Sequence, residues 1–173
     1  MDPNGLKQKP KRLVMLNGPM GVGKTTVGRH LAALCAPSAF LDGDWCWALE
    51  PFTVTPETKD MVLTNIAHML QSYGACSQCS TVIFCWVMQE PDIVRQVLCR
   101  LPEGMFDSKL VTLMASRTAL EARVQRDINA GLRSADAVQR ALSYREQYGW
   151  ARCVVDTTHL LPHEAATAVA ALL

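Results

Sequence analysis

The sequence lacks three features that would indicate a nucleic-acid-binding, membrane-spanning or exported protein. Its 173 residues include 17 Lys and Arg against 16 Asp and Glu, so it has no basic excess for a broad nucleic-acid-binding face. The longest unbroken apolar run, Val82 to Met88, is far shorter than the roughly 18–20 residues of a membrane span. Residues 1–12 are mostly polar and contain no apolar stretch of the signal-peptide kind. These absences predict a cytoplasmic protein without nucleic-acid or membrane partners.

The seven cysteines are an odd number, which favours reduced thiols over a disulfide framework. Cys76 and Cys79 have the spacing of a zinc knuckle or a redox pair, and His159 and His163 are candidates for two further ligands. The histidines lie far along the chain, and the cysteines follow a predicted helix end at Gly74 instead of a strand. We therefore favour a simple loop at Cys76–Cys79.

Short apolar runs alternate with helical patterns along the chain. The runs are apolar throughout, as is typical of strands buried on both faces of a parallel sheet. They are Leu13–Leu16, Ala39–Leu41, Thr81–Met88, Leu110–Met114 and Cys153–Val155. Because strands and helices alternate, the sequence predicts an α/β fold, a three-layer α/β/α sandwich with a five-stranded parallel sheet. Residues 12–173 would form a single domain, preceded by a flexible tail at residues 1–11.

Local signals predict several helix boundaries. Thr55 followed by proline predicts a helix start, as do Pro91 and Pro162. Thr118 opens a capping-box pattern, and Gly131 is the expected end of that helix.

The first predicted strand runs into a glycine-rich segment that matches G-x-x-x-x-G-K-[ST], the P-loop pattern. Its glycines allow consecutive backbone N–H groups to point at one phosphate, at the positive end of the following helix. Lys24 would supply a cation to the β- and γ-phosphates, and the Thr25 hydroxyl would bind Mg2+. The residues predicted to bind ATP here are Gly18, Met20, Gly21, Val22, Gly23, Lys24, Thr25 and Thr26.

A carboxylate near the metal must come from outside the central strand, because Thr81–Met88 contains no Asp. No apolar strand is followed by the D-x-x-G of a GTPase, and N-K-x-D is absent. The strand Ala39–Leu41 instead ends in Asp42, a glycine and Asp44. Alternation along an extended chain would point both carboxylates to the same side, one toward Mg2+ and the other toward an acceptor hydroxyl. The alternative is that an Asp here caps the next segment.

Arginines are concentrated between residues 123 and 145. Because guanidinium groups can clamp phosphate oxygens bidentately, this concentration predicts a short lid near residues 129–135. The alternative is a solvated helix face with pairs such as Arg133 with Asp136. The arginines are Arg123, Arg126, Arg133, Arg140 and Arg145.

The P-loop, the L-D-G-D segment, the missing central-strand Asp and the late arginines together resemble the small-molecule kinases. This group includes shikimate, gluconate and adenylylsulfate kinases and the antibiotic phosphotransferases, all related in fold to adenylate kinase. The resemblance covers about residues 12–172. It implies that Asp42 holds Mg2+ and that Asp44 and Lys24 are catalytic. It further implies roles for the arginines, namely adenine packing by Arg123, phosphate binding by Arg140, and catalysis by Arg126 and Arg133.

The segment expected to bind the phosphoryl acceptor carries little positive charge. Between residues 45 and 88 there is no Arg, and Lys59 is the only Lys. A phosphate or carboxylate on the acceptor would need Arg, so this absence favours a neutral or cationic small molecule with a hydroxyl group. The residues predicted to contact it are Asp44, Trp45, Trp86, Gln89 and Glu90.

Three alternatives remain open at this point. The aromatic residues of this segment could be core residues only. The enzyme could be a nucleoside-monophosphate kinase or a polynucleotide 5′-hydroxyl kinase. The chain could also be a nucleotide-binding regulator without turnover.

Overall fold

The computed structural model describes residues 9–173. Its sheet has five parallel strands in the order β2-β3-β1-β4-β5. The strands are β1 (Lys11–Asn17), β2 (Ser38–Asp42), β3 (Thr81–Cys85), β4 (Phe106–Met114) and β5 (Val154–Asp156). The helices are α1 (Lys24–Leu34), α2 (Pro56–Ala75), α3 (Pro91–Leu98), α4 (Arg117–Asn129), α5 (Ala137–Glu146) and α6 (Pro162–Ala170), and a 3-10 helix (Gly43–Trp47) follows β2.

The central strands β1 and β3 are buried because each contains an unbroken apolar run, Leu13–Leu16 in β1 and Val82–Cys85 in β3. Every residue of β3 is buried, as are the residues from Leu13 to Leu16 in β1. Alternation along a strand sends such a run to both faces of the sheet. Val14 and Leu16 share one buried cluster with α1, α4, α5 and α6, whereas Leu13 and Met15 share the other with α2 and α3. The predicted three-layer α/β/α sandwich is confirmed.

Several helix boundaries follow the predicted signals. The Thr55 side chain caps α2 by accepting a hydrogen bond from the backbone N–H of Thr58 at 3.1 Å. Helices α3 and α6 begin at Pro91 and Pro162, as predicted. Gly131 follows α4 in the left-handed conformation, with φ of 72°, which favours glycine at a helix end.

Two local predictions are wrong. The cap of α4 is Ser116, whose hydroxyl accepts from the backbone N–H of Ala119 at 3.2 Å, so the helix starts before the predicted capping box at Thr118. Strand β3 ends at Cys85 and does not extend to Met88. Its neighbour β2 ends opposite Cys85 and turns into the 3-10 helix, which removes the strand partner on that side.

The carboxyl ends of these parallel strands meet at one edge of the sheet, where α/β proteins place their ligand sites. The predicted tail at residues 1–11 falls mainly outside the described residues, and Lys11 already belongs to β1. Across residues 9–173, no helix combines the length and apolar character that crossing a bilayer requires.

Candidate active site

The segment between β1 and α1 folds as a phosphate-binding loop. Gly23 caps α1 in the left-handed conformation, with φ of 104°. Gly18 has φ of 143°, and a Cβ at this position would overlap the carbonyl oxygen of Leu113 on β4. Both positions therefore require glycine. The first turn of α1, with its unpaired N–H groups, lines the adjoining cleft.

The Lys24 side chain folds back over this loop. Its ammonium group donates to the carbonyl oxygens of Gly18 at 2.9 Å and Pro19 at 3.0 Å. Burial lowers the pKa of Lys24 to about 8, and the negative charges of Asp44 and Asp42 oppose this effect only in part. The loop thus holds a buried amine whose charged form would be stabilised by a negatively charged ligand.

A hydroxyl group and a carboxylate meet beside the loop. Thr25 Oγ1 donates to Asp42 Oδ2 at 2.6 Å. Asp42 is only 5% exposed, and its Oδ1 accepts a hydrogen bond from the backbone N–H of Asp44 at 3.1 Å. Asp42 therefore caps the 3-10 helix, as one sequence interpretation held, and also reaches the first turn of α1.

Asp44 reaches the cleft by a different route from the one predicted. It lies in the 3-10 helix, so the predicted extended geometry is wrong, because the cap at Asp42 turns the chain. Its carboxylate nevertheless lines the cleft, where Oδ1 accepts a hydrogen bond from Trp86 Nε1 at 3.1 Å. Burial and the charge of Asp42 raise the pKa of Asp44, whereas Lys24 and the Trp86 hydrogen bond oppose the rise.

A cleft of about 1580 Å³ joins these groups and extends to both sides of the P-loop. The order of the strands explains its two halves, since β1 has β3 and β2 on one side and β4 and β5 on the other. The β2–β3 half is lined by Trp47, Phe52, Val54, α2 and residues 86–96. The β4–β5 half is lined by α4, Arg133, α5 and residues 157–162.

Arg123 on α4 ties the P-loop to the chain after β5. Its guanidinium group donates to the carbonyl oxygen of Val22 at 3.2 Å. It also donates to Thr157, to Oγ1 at 3.0 Å and to the carbonyl oxygen at 2.5 Å. Arg123 lines the β4–β5 half, so it forms a wall of the cleft while holding two of its segments together.

The other predicted phosphate-side arginines lie in the same half. Arg126, Arg133 and Arg140 all line the cleft. Arg133 Nε lies 2.8 Å from Asp127 Oδ2, and Arg140 Nε lies 3.0 Å from Asp136 Oδ2. The pairing of Arg133 with Asp136 considered from the sequence is therefore wrong, since Asp136 pairs with Arg140 one helical turn away. The loop between α4 and α5 contains most of the predicted lid segment.

The β2–β3 half has an aromatic wall of Trp47, Phe52 and Trp86. The ring of Trp47 lies 5.3 Å from that of Phe52 and 6.4 Å from that of Trp86, centroid to centroid. Phe52 is 63% exposed, so it contributes to the open surface of the cleft and not to the core. The polar residues of this half are Asp44, Lys59, Gln89, Glu90, Asp92 and Gln96.

Trp45 does not line the cleft with the other residues predicted to contact the acceptor. Its side chain is 54% exposed and packs edge-on against Phe40, with ring centroids 5.6 Å apart. The guanidinium carbon of Arg29 lies 5.9 Å from the centroid of the same ring. Asp44, Trp86, Gln89 and Glu90 do line the cleft.

Comparison with known protein families identifies the chain. The family model described as the AAA domain matches residues 14–140. The chain belongs to the AAA domain family. No curated protein sequence matches it.

Solved structures share the fold of this AAA domain protein. The tunicamycin resistance protein of Deinococcus radiodurans is 17% identical with a TM-score of 0.68, over 94% of this chain and 95% of that one. A gluconokinase from Sinorhizobium meliloti is 20% identical with a TM-score of 0.64, over 96% and 95%. Shikimate kinase from Acinetobacter baumannii is 24% identical with a TM-score of 0.62, over 95% and 93%. The fold inferred from the sequence is confirmed.

Sequence reasoning missed several residues that line the cleft of this AAA domain protein. Tyr144 on α5 is one, and Thr157, Thr158 and His159 after β5 are others. A usable signal was present, because these last three follow the carboxyl end of a parallel strand, as Asp42 and Asp44 do. Strand β5 has only three residues, which is too short a pattern to predict from the sequence where the strand ends.

The Cys76–Cys79 segment is a loop, as favoured from the sequence. Cys76 is exposed, whereas Cys79 is buried and donates from its thiol to the carbonyl oxygen of Tyr73 at 3.3 Å. Over residues 9–173, no three or more His, Cys, Asp or Glu side chains are grouped as a metal site would require.

Proposed function

We propose that this protein is a kinase that transfers the γ-phosphoryl group of ATP, with Mg2+, to a hydroxyl group of a neutral or cationic small molecule. The observation that carries the proposal is that Lys24, the Thr25–Asp42 pair and Asp44 line one cleft that continues on both sides of the P-loop. A phosphoryl transfer between two substrates needs adjoining subsites of this kind on either side of the transferred group.

The nucleotide would occupy the P-loop and the β4–β5 half. Backbone N–H groups of the loop and the Lys24 ammonium group would bind the phosphates. Arg123 would line the adenine side, and Arg126, Arg133 and Arg140 would approach the phosphate oxygens, whose charge they can offset. The remaining residues that we assign to nucleotide binding are Gly18, Met20, Gly21, Val22, Gly23, Thr25 and Thr26.

Thr25 and Asp42 fit a magnesium site. Thr25 Oγ1 and Asp42 Oδ2 are 2.6 Å apart, and oxygen donors of these two types are the ligands that Mg2+ prefers. When bound there, the ion would offset negative charge on the β- and γ-phosphate oxygens.

Asp44 would be the catalytic base. The acceptor oxygen forms a bond to the γ-phosphorus while the bond from that phosphorus to the bridging oxygen breaks, which leaves ADP. The proton of the attacking hydroxyl passes to Asp44, whose Oδ1 is already engaged by Trp86. Because desolvation and the charge of Asp42 raise the pKa of Asp44, its carboxylate is a stronger base than that of an ordinary aspartate.

The β2–β3 half would bind the acceptor. Its aromatic wall suits a ring or another apolar face, and Gln89 offers a polar contact. Asp44, Glu90 and Asp92 line this half, and Lys59 is the only lysine among the described residues that line it. This balance of charge disfavours an acceptor that carries phosphate or carboxylate groups.

An ADP-release screen tests the proposal. Sugars, nucleosides, amino alcohols and hydroxyl-bearing antibiotics would be offered with ATP and Mg2+, and the Lys24→Met variant would serve as the matched control. We expect acceptor-dependent ADP release by the wild-type protein that the variant loses. Turnover of nucleoside monophosphates or of oligonucleotide 5′-hydroxyls would favour the nucleotide-kinase alternative. Tight ATP binding without turnover of any acceptor would favour a regulator.

A further inference from the structure

Trp86, the residue after β3, packs against two residues of the D-G-D segment. Its Nε1 donates to Asp44 Oδ1 at 3.1 Å. Its ring lies directly on Gly43, where a Cβ would come within 2.5 Å of Trp86 Cγ and 2.7 Å of Cδ1. No side chain fits at residue 43 while the indole keeps this place. The tryptophan that follows the neighbouring strand therefore requires glycine at the middle position of D-G-D.

The indole itself is held firmly. The backbone N–H of Trp86 donates to the carbonyl oxygen of Leu16 at 3.1 Å, which ties the residue to β1. The ring of Trp47 packs edge-on against that of Trp86, with centroids 6.4 Å apart, and Trp86 is only 9% exposed. A side chain confined in this way loses little further freedom when it holds a partner in place.

We propose that Trp86 is a positioning residue for Asp44. Its indole, packed on Gly43, fixes Asp44 Oδ1 by a hydrogen bond and makes no hydrogen bond to Oδ2. The catalytic consequence rests on the proposed function, in which Asp44 accepts the acceptor's proton. Trp86 would then orient the base Asp44 in addition to lining the half of the cleft that binds the acceptor.

The test follows the 15N–1H resonance of the Trp86 indole in the full-length, nucleotide-free protein at a fixed pH. Asp44→Asn replaces the charged acceptor of the hydrogen bond with a neutral amide, and we expect the Trp86 indole proton to move upfield, because hydrogen bonds to ionised acceptors are stronger. The Trp47 indole is the matched control, because the Trp47 Nε1 has no hydrogen-bond partner among the described residues. An unchanged Trp86 resonance, or an equal movement of the Trp47 resonance, would overturn the proposal.

A second measurement separates positioning from a merely structural role. Trp86→Phe keeps a ring near Gly43 but removes the donor, and we expect it to lower kcat for acceptor-dependent ADP release while the KM for ATP stays the same. A folded Trp86→Phe variant with the kcat of the wild-type protein would refute the assignment. The indole readout needs neither ATP nor an acceptor, so it stands or fails separately from the kinase proposal.

Discussion

Thr25 and Asp42 are joined by a hydrogen bond of 2.6 Å from Oγ1 to Oδ2, although 17 residues separate them in the sequence. Strand β3 lies between β2 and β1, the strand that leads into the P-loop, so the bond passes over the end of β3. Asp42 is paired in register with Cys85, which ends β3. The carboxylate that the central strand lacks is therefore supplied by the next strand outward.

This arrangement predicts different magnesium dependences for the two aspartates. Asp42→Asn should raise the Mg2+ concentration needed for half-maximal rate, because it weakens an oxygen ligand of the ion. Asp44→Asn should lower kcat with little change in that concentration, because it affects the acceptor's proton. Rates measured across a Mg2+ titration distinguish the two, and identical titration curves for both variants would contradict this division of roles.

Lys24→Met should leave the fold intact and abolish phosphoryl transfer. In comparable sites one electrostatic donor contributes about 2.7–4 kcal/mol to the barrier, which corresponds to a rate loss of about 100- to 1,000-fold. Acceptor-dependent ADP release measures the effect, with circular dichroism as the control for folding. Wild-type turnover by this variant would contradict the assignment of the P-loop.

The buried Lys24 also predicts a pH dependence of stability in the nucleotide-free protein. Its pKa is lowered from 10.5 to about 8 in the fold, so between these pH values the unfolded chain holds a proton that the folded protein has released. The free energy of unfolding should therefore rise by about 3 kcal/mol, relative to Lys24→Met, as the pH increases through this window. Urea unfolding at a series of pH values measures it, and parallel curves for the two proteins would exclude it.

Arg123→Lys should weaken both stability and ATP binding. A lysine cannot span Val22 and Thr157, and hydrogen bonds from a charged group contribute about 1.5–3 kcal/mol each in partly buried sites. We expect a lower thermal midpoint and a higher Kd for ATP. Arg126→Lys is the control for stability, because Arg126 is exposed one turn further along α4 and should change unfolding by less than about 0.5 kcal/mol. Equal thermal midpoints for the two variants would count against the bridging role.

Nucleoside monophosphates should be poor acceptors. A phosphate in the β2–β3 half would lie among Asp44, Glu90 and Asp92, where Lys59 is the only lysine within the described part of the chain. Its uncompensated charge would cost several kcal/mol. ADP release with AMP, CMP, GMP, UMP and dTMP decides the point, with a neutral hydroxyl compound from the screen as reference. Robust turnover of any of the five would contradict the acceptor class.

Much of the fold could be predicted because its signals are local and strong. Each of the five strands contains a short apolar run, and the P-loop pattern follows the first of them as its chemistry requires. Thr55, Pro91 and Pro162 mark helix starts through hydrogen bonds or backbone angles that depend only on near neighbours. Such features need no knowledge of tertiary contacts.

The parts that escaped prediction depend on contacts between distant segments. Asp44 was expected from an extended chain, whereas capping by Asp42 coils that segment into a 3-10 helix. Trp45 and Trp47 look equivalent in the sequence, yet the same coil turns one to the outer surface and the other into the cleft. The hydrogen bond between Trp86 and Asp44 joins residues 42 positions apart, and no local sequence pattern predicts it.

The hydrogen bonds of Arg123 determine the shortest fragment of the chain that could bind a nucleotide. The family match stops at residue 140, before β5 and Thr157. A fragment cut there would keep the P-loop but lose the segment after β5 that Arg123 joins to it. The guanidinium group would lose two of its three hydrogen-bond acceptors, both on Thr157. A nucleotide-binding unit built from this protein must therefore include β5 and Thr157 after it.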